Sequence, residues 1–91
     1  MKHADMMTEA AKLVAPRGNV YGGIRENHEQ IAKIATQLTG IELDAHNILM
    51  IMVAVKLSRI AKSPEHVDSY LDALNYLSFA GELATDAVGE G

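Results

Sequence analysis

Apolar residues recur at helical spacing in four segments of this chain, and no stretch longer than a few residues alternates with the period of two that a strand needs. The first segment runs from about His3 to Val14, with Met6, Met7, Ala10, Ala11 and Val14 as its stripe. Pro16 and Gly18 are expected to end it and to open a loop that reaches Gly23. The second runs from about Ile24 to Leu38. Ile24, Ile31, Ile34, Ala35 and Leu38 form its expected inward face, and Thr39-Gly40 its stop.

The third segment runs from about Ala45 to Lys62, with Asp44 as N-cap. Ile48, Leu49, Met50, Ile51, Met52 and Val53 cover every side of it, which places such a helix centrally or in an interface between copies. The fourth runs from Pro64 to about Thr85, with Ser63 as N-cap and Pro64 in the first turn. Val67, Tyr70, Leu71, Leu74, Leu77 and Gly81 are expected to face inward.

The pattern predicts an all-α fold, a compact bundle of three long helices and a shorter N-terminal one. The whole chain, 1–91, reads as one helical domain: an N-terminal helix within 1–16, a loop over 17–23 and a helical core over 24–87. A chain of 91 residues buries only roughly 60–65% of its unfolded surface, so a homo-oligomer is expected.

Composition narrows the function classes. A net charge of −4 argues against general nucleic-acid binding, which needs a basic face. There is no cysteine, so neither a disulfide framework nor a thiolate zinc site is available. The start of the chain lacks the apolar core of a signal peptide, and Ile48–Val55 is too short an apolar run to span a bilayer, so no membrane association is expected.

Charges inside apolar segments carry the candidate chemistry. Lys56 and Arg59 interrupt the third segment, and Glu65, Asp68 and Asp72 open the fourth. If the two helices form an antiparallel hairpin, residues at equal height have numbers summing to about 127. Arg59 then falls level with Asp68, and Lys56 close to Asp72, which predicts a two-rung salt-bridge ladder. The same residues can be read as a site. Lys56 and Arg59 would hold phosphate oxygens, while Tyr76, one turn beyond Asp72, would stack on a base or donate a hydrogen bond.

The carboxylates Glu65, Asp68 and Asp72 suit Mg²⁺. His66 is two residues from Asp68, a divergent spacing on a helix, so it reads as a cap for the hairpin or a lone group. His28 borders the apolar face of its helix and reads as a packing histidine. Tyr21-Gly22-Gly23 precedes a helix N-terminus whose free N–H groups can hold an anion, with Arg17 to assist.

Arg17-Gly18-x-x-Tyr21-Gly22, Glu26-Asn27, Lys56-x-x-Arg59 and Ser63-Pro64-x-His66-x-Asp68-x-x-x-Asp72-x-x-x-Tyr76 form an ordered set. This set resembles a family of small phage and prophage proteins of unknown function, over about Arg17 to Leu83. That family has Gly where this chain has Asn75. More distantly, the pattern is similar to MazG-like helical nucleotide pyrophosphohydrolases and to helical domains associated with phage nucleotide modification. The second likeness implies Mg²⁺ on Glu26, Glu29, Glu65 and Asp68. The gap between its two carboxylate pairs is longer here than that family has, and Lys56 and Arg59 are not part of its metal motif. The resemblance implies the cytoplasm of a bacterial host cell.

Three functions are thereby expected. The first is a non-enzymatic accessory module that binds a nucleotide or other phosphorylated ligand through Lys56, Arg59, His66, Asp68, Asp72 and Tyr76, with Arg17 and Tyr21. The second is a Mg²⁺-dependent pyrophosphohydrolase. The third is a structural bundle, or one that binds and inhibits a host protein.

Overall fold

The structure, a computed structural model, describes the backbone of residues 1–20 and 23–88 and the side chains of 1–14 and 23–86. Its elements are four helices, α1 (His3–Val20), α2 (Ile24–Thr39), α3 (Ala45–Lys62) and α4 (Val67–Val88). No strand occurs among the described residues.

The ends of α2 and α3 follow local chemistry. Gly40, at φ 73°, adopts the left-handed conformation that closes α2, and its N–H donates to the Thr36 carbonyl at 2.9 Å. Asp44 caps α3 in a reciprocal box. The Asn47 N–H donates to its carboxylate at 2.8 Å, and the Asn47 side chain accepts from the Asp44 N–H at 3.0 Å.

Two boundaries differ from expectation. α1 runs through Pro16 to Val20, so it has 18 residues, as many as α3, and is not the shorter helix of the set. A proline removes one N–H, yet its φ near −65° is itself helical, so a helix can continue across it. α4 begins at Val67 rather than Pro64. Ser63 closes α3 instead of opening α4, donating its N–H to the Arg59 carbonyl at 2.9 Å.

The chain turns through Pro64 and Glu65. The His66 N–H donates to the Ser63 carbonyl at 3.0 Å, and the Tyr70 hydroxyl to the Pro64 carbonyl at 2.7 Å. His66 holds this corner, its Nδ1 lying 2.9 Å from the hydroxyl of buried Ser69.

α3 and α4 form an antiparallel hairpin. α2 packs mainly on α3 and α1 mainly on α4, while α1 and α2 have little direct contact with each other among the described residues. The elements approach closely through small side chains: Ala10, Ala32, Ala45 and Ala80 are buried, together with Ile48, Leu49, Val53 and Leu71. Longer apolar groups are displaced to the flanks of these contacts.

Hence several residues expected to face inward are exposed, among them Met7, Ile34, Leu38 and Leu77. On α2, His28 and Ala32 are buried instead. α3 is apolar on its outer side as well, where Met50, Ile51 and Leu57 meet solvent. The accessible area is 6455 Å², against about 5,200 Å² for a compact monomer of 9.8 kDa.

Candidate functional site

Because α1 leans mainly on α4 and α2 mainly on α3, a pocket of about 290 Å³ opens between them. α4 contributes Asp72, Asn75, Tyr76 and Phe79, and α2 contributes Ile24, Asn27, His28 and Ile31. Both sets follow the spacing i, i+3, i+4, i+7, one face of a helix in each case. Ile48 and Met52 of α3 and Leu13 and Val14 of α1 supply apolar surface, and Gly23 lies at the entrance to α2.

The polar groups are held in defined orientations. His28 is 6% exposed, and its Nδ1 lies 2.8 Å from the Ile24 carbonyl. A carbonyl can only accept, so Nδ1 carries the proton, and Nε2 of the neutral ring is an acceptor. The His28 and Tyr76 rings meet edge to face, with centroids 6.2 Å apart and planes at 71°. Asn75 donates its amide nitrogen to the Ala10 carbonyl at 2.9 Å, which ties α4 to α1. Lys56 meets Asp72 Oδ2 at 3.0 Å, with side chains 13% and 24% exposed. In this half-buried setting each charge compensates the desolvation of the other.

Of the expected site residues, Asp72 and Tyr76 line the pocket, and Lys56 joins them through its ion pair. Only one rung of the expected ladder forms. Arg59 and Asp68 are exposed, and no ion pair joins them among the described residues. Two hydrated side chains at the solvent end of the hairpin gain little from pairing. His66 acts as the corner group of the turn, away from the pocket lining. Tyr21 and the side chain of Arg17 lie outside the described residues.

The carboxylates implied by the MazG-like resemblance do not converge. Glu26 and Glu29 are exposed and off the pocket face of α2, Glu65 is exposed in the turn, and Asp68 is exposed in the first turn of α4. No group of three or more His, Asp or Glu side chains is placed to hold a metal ion among the described residues.

Asn27, Asn75 and Phe79 were not anticipated as site residues, and His28 was anticipated only as packing. The repeated i, i+3, i+4, i+7 series from Ile24 and from Asp72 was the available signal, since each places polar groups within an otherwise apolar face.

A family model described as a domain of unknown function (DUF6378) matches residues 5–84. The chain belongs to this family. It is also similar to a phage protein, being 27% identical over 73 residues to the Gene 55 protein of Mycobacterium phage L5. The match covers 78% of this chain and 47% of the relative, so the chain spans about half the length of that protein. No solved structure matches the DUF6378 chain. Among its described residues, no helix is long and apolar enough to cross a membrane.

Proposed function

We propose that this DUF6378 protein is a phage accessory module that binds a nucleotide non-enzymatically, with the base in the pocket between α1 and α2. The observation that carries this is the combination of an apolar slot, the Tyr76–His28 ring pair and convergent hydrogen-bonding groups on two facing helices. Few well-placed polar groups in a mostly apolar cleft are the usual composition of a small-molecule site.

A phosphate would lie at the start of α2. Gly23, its N-cap, has no side chain to satisfy the first-turn N–H groups, and Gly23 and Ile24 line the pocket. Arg25 is adjacent, in an exposed ion pair with Asp86 at 3.3 Å. This shifts the phosphate role from Lys56 and Arg59 to the α2 terminus, because Asp72 already holds Lys56.

Thermal-shift titration with mononucleotides, with and without Mg²⁺, tests the proposal. Saturating ligand should raise the melting temperature by several degrees. Tyr76→Ala should weaken binding on the order of ten-fold or more, the usual effect of removing one stacking partner. If no nucleotide stabilises the protein, the proposal fails.

A second reading, self-association, is favoured by the surface. Leu38, Ile41, Ile51 and Leu57 are 81%, 61%, 48% and 55% exposed, so α2 and the outer side of α3 are the surfaces for a second copy. A monodisperse monomer at high concentration in light scattering would overturn it.

A further inference from the structure

We propose that the pocket selects bases carrying an exocyclic amino group over their carbonyl counterparts. This rests on the nucleotide reading above and specifies which edge of the base the protein recognises.

Two of the oriented polar groups of the pocket share one character. The Asn75 nitrogen gives one of its two hydrogens to the Ala10 carbonyl, which leaves Oδ1 as an acceptor and one N–H as a donor. The His28 ring donates through Nδ1 to the Ile24 carbonyl, leaving Nε2 as a lone pair. Asp72 holds Lys56 with Oδ2, which leaves Oδ1. No fully buried side-chain nitrogen or oxygen lacks a partner among the described residues, so these atoms are reached by solvent rather than sealed in the core, and their residues line the pocket. His28 Nε2 and Asp72 Oδ1 are both acceptors, and Asn75 offers an acceptor and a donor. Asn27 and the Tyr76 hydroxyl can each act either way and adapt to the ligand.

Such a pocket needs an occupant that brings hydrogens. An amino group carries two on one atom and can serve two acceptors. A carbonyl in the same place would set lone pair against lone pair and leave the protein groups unpaired. Cytosine and adenine present an amino group where uracil and hypoxanthine present oxygen. The charge state separates a base from an alkylammonium ligand. Lys56 already neutralises Asp72, so the site offers acceptors without a net negative charge for a second cation.

Calorimetric titration of the intact protein with two matched pairs tests this: cytidine against uridine 5′-monophosphate, and adenosine against inosine 5′-monophosphate. Within each pair the exocyclic group changes from amino to carbonyl, and the ring nitrogen beside it from an acceptor to an N–H donor. The amino member should bind at least about ten-fold more tightly in both pairs. Asp72→Asn exchanges an acceptor oxygen for a donor and should shrink the ratio toward unity. If that variant loses its helical circular-dichroism signal, the double variant Lys56→Met with Asp72→Asn removes the stranded ammonium and should show the same shrinkage. Equal affinities within the pairs, or a preference for the carbonyl member, would overturn the selectivity while leaving nucleotide binding intact. Absence of binding by all four would overturn both.

Discussion

The hairpin of α3 and α4 and the flanking pair α1 and α2 are joined in different ways. The hairpin has a continuous seam. Leu49, Val53 and Leu71 are buried, Lys56 and Asp72 pair in a half-buried position, and the connecting turn is closed by hydrogen bonds around Ser63, Pro64 and His66. α1 and α2 instead touch the hairpin through alanines, α1 mainly on α4 and α2 mainly on α3. Each gains single polar ties, Asn75 to Ala10 for α1 and the exposed Arg25–Asp86 pair for α2. A complete seam leaves no room for a ligand. The incomplete one leaves a pocket, on the side whose contacts are fewest and whose local opening costs least.

The largest expected effect comes from breaking the hairpin pair. Lys56→Ala strands the Asp72 charge in a partly desolvated position and should lower stability by about 2–4 kcal/mol in chemical denaturation. The double variant with Asp72→Leu should recover much of that loss. Failure of the single variant to destabilise would make the pair a surface one and erase the contrast between the two regions.

Next is Asn75→Ala, which removes the tie between α4 and α1. Loss of its hydrogen bond should cost about 1–2 kcal/mol, with added hydrogen exchange concentrated in α1. Exchange rising equally in all helices would show that the flanking pair is not a separable unit.

Asp44→Ala removes the acceptor of the capping box and should cost about 1 kcal/mol. The smallest effect belongs to Arg59→Ala. Without a partner among the described residues, its loss should change stability by less than about 0.5 kcal/mol. A loss equal to that of Lys56→Ala would restore the second rung of the ladder.

The local features were legible in the sequence because they depend on neighbouring residues. Gly40 and Asp44 mark their helix ends by backbone conformation and capping, and both stand where expected. The pairing of Lys56 with Asp72 was readable too, since helix rise alone sets which positions of a short-looped hairpin are level. Periodicity failed where it had to choose which apolar residues are buried. α2 carries more apolar surface than its neighbours cover, and the geometry of approach selects Ala32 over Ile34 and Leu38.

By itself, then, the sequence determined four helices, most of their ends, the hairpin and the height at which its ion pair forms. These follow from propensity, capping and rise per residue, which act over a few positions. Tertiary structure alone decided that α1 packs mainly on α4 and α2 mainly on α3, and so brought His28 and Asn27 to one pocket with Asp72, Asn75 and Tyr76. Those groups are 44 or more positions apart along the chain. Only the angles at which the helices pack decide whether the space between them is filled by side chains or left for a ligand.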